Sequence, residues 1–222
     1  MRLIRRPFRY SYNGVVFWLI GINVLIFAVM YLLTERTFVK EIAGSRYKVE
    51  VLQYYLSMIP SKVLQGWVWT FITYMFVHGG ITHLLFNMFA LFIFGTHVER
   101  QMGSREFLFF YLVTGALAGI FSFAVYLMTG QSSVLLMGAS GAIFAIELAF
   151  AAFFPRSVIY IWGILPVRAP VMVLGFTAIE LLSSIFARNS GVAHLTHLAG
   201  FGFAWLYFLV RYRINPWKEF RS

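Results

Sequence analysis

Residues 107–146 read FLFFYLVTGALAGIFSFAVYLMTGQSSVLLMGASGAIFAI, forty positions without one charged side chain. A single bilayer crossing takes about 20 mainly apolar residues. This run is twice that length, and Thr129-Gly130-Gln131-Ser132-Ser133 divides it with turn-forming residues. The reading is a pair of antiparallel spans, 107–128 and 135–154, the second closing at Pro155-Arg156.

The pattern recurs on either side. Residues 63–98 also lack charge, and Gly79-Gly80 splits them into an aromatic approach (Trp67, Trp69, Tyr74) and a span over 80–97. Trp and Tyr gather at membrane–water interfaces. Residues 14–34 form an apolar stretch behind Arg2, Arg5, Arg6 and Arg9. It is too long for a signal peptide and has no small-x-small cleavage site, so a retained first span is expected. An interfacial connector over 156–168, marked by Trp162, Gly163, Pro166 and Arg168, leads to spans 169–187 and 192–210. The expectation is one all-α, six-span membrane domain over 1–222, with 35–68 lying along the outer surface.

Composition agrees. Of 222 residues, 60 % are apolar and 12 % charged, with mean hydropathy +0.78. A soluble domain is about half apolar and a quarter charged. A secreted scaffold, a nucleic-acid-binding domain and a disordered chain are excluded. The net charge of +10 therefore reports topology, not an RNA or DNA partner. With both termini cytoplasmic, 12 of the 18 basic residues fall inside: in the N-terminal tail, the 99–106 and 156–168 loops, and the C-terminal tail (Arg211, Arg213, Lys218, Arg221). There is no cysteine, hence no disulfide, thiolate ligand or cysteine nucleophile. Small size and the absence of cysteine point to a prokaryotic inner membrane.

Polar groups inside a bilayer are costly and ask for a function. Three clusters stand out: His78-Gly-Gly-Ile-Thr-His83-Leu-Leu-Phe-Asn87, Gly138-Ala139-Ser140-Gly141, and His194-Leu-Thr-His197-Leu-Ala-Gly200-Phe-Gly202. Spans two, four and six all run inward, so at ~1.5 Å per residue the clusters lie within ~5–12 Å of the outer boundary. One shared depth implies one site. Ser140, at a helix start, offers a hydroxyl beside free backbone N–H groups. A serine needs a base, and His197 is placed to be it. His83 and Asn87, four apart on one helix face, supply donors for a tetrahedral oxyanion. Glu147, seven residues and ~10 Å beyond Ser140, is too far to orient the histidine. The reading is a Ser–His dyad with no carboxylate, metal or cofactor.

These residues resemble the rhomboid family of intramembrane serine proteases. The resemblance rests on Gly138-x-Ser140-Gly141, on the His78, His83 and Asn87 spacing, on His197-Leu-Ala-Gly200, and on Glu99-Arg100 with Gly103. It covers nearly the whole chain after the first span. It implies Ser140 as nucleophile, His197 as general base, His194 as a neighbour, and His83, Asn87 and the Ser140 N–H as the oxyanion hole. It also implies single-pass transmembrane substrates, admitted from the side by displacement of the fifth span, which ends in the Arg188-Asn189-Ser190-Gly191 turn. Two positions depart from the family. Thr70 follows Trp69 where arginine is frequent, and Phe144 stands where a tyrosine often stacks on the base. A phenylalanine ring keeps the stacking surface.

Other readings explain less. Gly-x-Ser-Gly by itself marks close helix packing more often than chemistry. A metal or haem site on His83, His194 and His197 leaves Ser140 and Asn87 without a role. A catalytically silent relative needs a broken dyad, and a transporter wants paired charges at the midplane. His78 is expected to cap or brace the Gly79-Gly80 break, and Gly115-x-x-x-Gly119 to make a close helix contact. Glu147 and Glu180 are expected to be hydrogen-bonded structural acids, with a modulatory role as the alternative.

Overall fold

The computed structural model describes residues 8–32, 37–42, 45–161, 163–186 and 194–221, with backbone alone over 37–42 and 45–50. Arg2, Arg5, Arg6, Arg36, Trp162 and the 188–191 turn lie outside the described residues. Six main helices follow in order: α1 Val15–Leu32, α2 Ile81–Met102, α3 Ser104–Met128, α4 Ser140–Phe153, α5 Ala169–Phe186 and α6 His194–Tyr207. Among the described residues, α1, α2, α3 and α5 are long and apolar enough to cross a membrane. The chain is a multi-pass helical membrane protein. In lipid a backbone must satisfy its own hydrogen bonds, and the charge-free runs do so as helices.

The fourth helix is different. Its 14 residues reach only ~21 Å, short of a hydrocarbon core of ~30 Å. All of them except Ser140, Phe144 and Phe153 are buried. A helix that is apolar all round belongs at the centre, and α3, α5 and α6 pack around it. Ala142, Ala145, Ala149 and Ala152 let those neighbours come close.

The span expected over 135–154 starts later than its hydropathy suggests. Leu136 instead pairs with Met58 in an antiparallel bridge, with N–H to carbonyl distances of 3.0 and 2.9 Å. The Gly138 N–H then donates to the Tyr74 carbonyl at 2.9 Å. Both bonds hold this segment extended, so the helix begins at Ser140 itself.

The segments outside the helices also differ from expectation. The charged–apolar alternation in 35–68 makes an antiparallel hairpin, β1 Thr37–Ile42 with β2 Ser45–Glu50, followed by the short helices Val51–Leu56 and Pro60–Val63. Alternation with period two is the strand signature. The 156–168 connector folds as a second hairpin, β3 Val158–Ile161 with β4 Leu165–Arg168. Gly115 and Gly119 receive a loop as well as a helix: a methyl group would lie 2.0 Å from Met75 Sδ at the first and 2.7 Å from Tyr74 Cε1 at the second. Tyr74 donates its hydroxyl to the Gly115 carbonyl at 2.7 Å. Thr70, in the position of the missing arginine, is buried and donates to the Trp67 carbonyl at 2.6 Å.

Two buried carboxylates fasten the end of the bundle remote from Ser140. Glu106 is held by both Nε and Nη2 of Arg211, at 3.0 and 3.1 Å, and by the Tyr207 hydroxyl. Glu99 caps α1, accepting from the N–H groups of Val15 at 2.7 Å and Val16 at 3.0 Å and from the Ser104 hydroxyl. A carboxylate is well matched to a helix N-terminus. Glu99→Ala is expected to cost about 3 kcal/mol, because it leaves buried donors unpaired. Thermal unfolding in detergent measures it. A midpoint equal to that of the parent protein would show that the cap is dispensable.

Candidate active site

The loop before α4 delivers Ser140. Gly138 has φ +116°, a left-handed value that glycine tolerates and other residues rarely adopt. Space adds a second demand. A methyl group at Gly138 would lie 2.7 Å from His83 Nε2 and 3.7 Å from Ser140 Oγ. The His83 ring therefore rests against Gly138, next to the serine.

From the other side comes α6. Ser140 Oγ is 2.7 Å from His197 Nε2. The Phe144 ring, one turn along α4 from Ser140, lies flat on the His197 imidazole, with centroids 4.4 Å apart and planes 8° from parallel. Gly200 makes this approach possible. A methyl group there would sit 2.1 Å from the Gly141 carbonyl oxygen. Gly141 is less confined, with Thr196 Cγ2 at 3.2 Å and Ala118 Cβ at 3.3 Å from where its own methyl would be. Thr196 is tied to α3 by a 2.6 Å hydroxyl contact with Ser122.

The second-span residues close the remaining side. His78 is buried and meets the His83 ring edge to face at 5.0 Å. It does not cap α2 through its side chain, and it packs on the His83 ring. Asn87 Nδ2 donates to the His83 carbonyl at 2.7 Å, and its buried Oδ1 has no partner.

One expectation is corrected by geometry. The serine–histidine pair does have a carboxylate beside it, and that carboxylate is Glu180 of α5. Its Oε2 accepts from His194 Nδ1 at 2.6 Å, and its Oε1 faces His197 Nδ1 at 3.1 Å without hydrogen-bond alignment. Glu180 is thus more than a structural acid, and His194 is its anchor. The signal was present in the spacing. In an antiparallel helix pair, residues equally far from the turn come level, and Glu180 and His197 flank the α5–α6 connection almost symmetrically. Glu147 is buried in α4 with Oε2 unpartnered.

Among the described residues, Glu180, His194 and His197 are also the group able to hold a metal ion, their ligand atoms all lying within 4.8 Å of one another. His83, grouped with the two histidines in the metal reading of the sequence, is not part of it.

Known proteins place the chain in a family. A sequence model of the rhomboid domain matches residues 65–214. The rhomboid protease GluP of Bacillus subtilis is 36 % identical over 124 residues, covering 54 % of this chain and 24 % of GluP. RHOMBOID-like protein 6, mitochondrial, of Arabidopsis thaliana is 31 % identical over 164 residues, covering 72 % of this chain and 50 % of that protein. The putative rhomboid protease YdcA of Bacillus subtilis is 32 % identical over 140 residues, covering 62 % and 66 %. The chain thus spans between a quarter and two thirds of the length of these relatives. With its family model matched from before α2 to beyond α6, the chain belongs to the rhomboid family.

Proposed function

We propose that the protein is an intramembrane serine endopeptidase that hydrolyses peptide bonds in or near the transmembrane segments of single-pass proteins. The observation that carries this reading is the 2.7 Å contact of Ser140 Oγ with His197 Nε2 at the mouth of the central helix. Ser140 attacks the scissile carbonyl, and His197 takes its proton and returns it to the leaving amine. The backbone N–H groups at the start of α4, the second Nδ2 hydrogen of Asn87 and the His83 ring stabilise the oxyanion. Glu180, 3.1 Å from His197 Nδ1, supplies negative charge that stabilises the imidazolium formed when His197 takes the proton. Labelling of the full-length protein by a fluorophosphonate probe, lost in Ser140→Ala, tests the nucleophile; labelling retained by the variant refutes it.

The topology we infer is six spans with both termini cytoplasmic, in a prokaryotic inner membrane, with the short α4 reached by water from the outer face. A substrate helix hides its carbonyls, so Gly or Pro near the outer end of the substrate span should favour cleavage. Moving that element to the inner half should suppress cleavage. Equal cleavage of both substrates counts against the depth of the site.

Asn87→Ala and His83→Ala are each expected to lower kcat by ~10²–10³ with little change in KM, the usual cost of one lost oxyanion donor. Steady-state kinetics on a transmembrane substrate decides. Unchanged kcat in both would remove them from the oxyanion hole.

A further inference from the structure

The cluster of Glu180, His194 and His197 offers more ligand atoms than the serine chemistry uses. His197 is 8 % exposed, and its buried Nδ1 lacks an aligned hydrogen bond although a carboxylate oxygen stands 3.1 Å away. His194 and His197, three residues apart on α6, share one helix face, and Glu180 meets both from α5. The three side chains are 11–13 % exposed, so a small ion can reach them.

Two imidazoles and a carboxylate form a mixed nitrogen–oxygen set, which suits zinc and its neighbours; magnesium and calcium prefer oxygen alone. With Zn–N bonds of ~2.0–2.1 Å, tetrahedral ligand atoms stand about 3.4 Å apart. The present contacts of 2.6 and 3.1 Å and the 4.8 Å limit on the group bracket that spacing, so small side-chain rotations suffice.

We propose that Glu180, His194 and His197 bind a divalent transition-metal cation of the zinc class, and that its occupancy switches off the serine chemistry. The sequence reading assigned the chain no metal; the folded α5–α6 pair revises that. The switch follows from the two ends of one ring. A cation on Nδ1 of His197 uses that lone pair and displaces to solvent any proton held there. Nε2 takes up a proton from solvent in exchange, so the neutral ring carries its single proton there, aimed at Ser140 Oγ. Such a ring donates to the serine and cannot accept its proton, so no base remains. Removing the cation lets a proton return to Nδ1 while Nε2 gives its own to solvent, which frees the Nε2 lone pair.

The site itself stands apart from the protease reading; the switch rests on it. The test titrates Co²⁺ into full-length Ser140→Ala protein in metal-free detergent buffer and follows visible absorption. A saturable 1:1 band, displaced by Zn²⁺ and weakened at least 10-fold in a second protein carrying His194→Ala or Glu180→Gln, is expected. With the serine intact, Zn²⁺ should inhibit cleavage of a transmembrane substrate, and EDTA should restore it. The half-inhibiting concentration should rise at least 10-fold in His194→Ala, measured against that variant's own metal-free rate. No 1:1 band, or equal affinity in both variants, overturns the site. Full cleavage at saturating Zn²⁺ with the band intact overturns the switch. A protein that shows the band and never cleaves supports the site and refutes the protease reading together with its switch.

Discussion

Ser140→Ala is expected to abolish peptide-bond hydrolysis while leaving the bundle folded. The substitution removes one hydroxyl at the first residue of α4, too small a loss to open a large cavity. It deletes the 2.7 Å contact with His197, worth about 1 kcal/mol to stability. Its effect on rate is far larger, since no other nucleophile on the described residues touches His197. A fall on the order of 10⁴–10⁶-fold is expected, and His197→Ala should fall comparably. The double variant should be scarcely worse than either single one, because the two act as a unit. Cleavage of a transmembrane substrate in proteoliposomes, with thermal unfolding in parallel, reads both quantities. Residual cleavage within 10-fold of the parent, or losses that multiply in the double variant, would refute the assignment.

Gly200→Ala should damage the site without touching a reacting atom. The new methyl group would fall 2.1 Å from the Gly141 carbonyl oxygen. Backbone cannot rotate aside as a side chain does, so α4 and α6 must part by about 1 Å to reach ordinary contact. His197 is three residues from Gly200, and Ser140 is next to Gly141, so the same opening stretches the serine–histidine contact. Misplacement by ~1 Å costs about 10²-fold in rate, and the strained packing about 1–3 kcal/mol. Gly202→Ala is the matched control, since a methyl there meets nothing within 4 Å. Equal rates for the two alanine variants would show that α6 yields at Gly200 and that its closeness to α4 is not what sets the dyad.

Much of this architecture was legible in the sequence. Charge-free runs placed α1, α2, α3 and α5 to within a few residues, because burial in lipid is a property of a whole helix. Three polar clusters pointed to Ser140, His197, His83 and Asn87; the fold brings His197 and the His83 ring to the start of α4, while Asn87 bonds within its own helix. What escaped depends on contacts between distant segments. The start of α4 is fixed by Met58, nearly eighty residues upstream, and hydropathy carries no trace of that bridge. Glu180 looked like one more intramembrane acid until the α5–α6 pair folded it against His194 and His197. The alternation in 35–68 was visible, yet an amphipathic surface element and a strand hairpin share polar and apolar residues in similar proportion; their period of two distinguishes them.

The small stature of α4 has a consequence for how the protein is made. A segment of 14 residues with Glu147 in its middle is a poor candidate for independent transfer from the translocon to lipid, where an acidic residue costs about 2.5–3.5 kcal/mol. The long α3 precedes it by a short turn and already carries Gly115 and Ala118, which pack against Ala142 and Gly141. The two must therefore enter the bilayer together as a hairpin, α4 sheltered by its predecessor until α5 and α6 arrive. On the proposed mechanism, Ser140 emerges two helices before His197 is synthesised, so the serine–histidine pair forms only once α6 has joined α4.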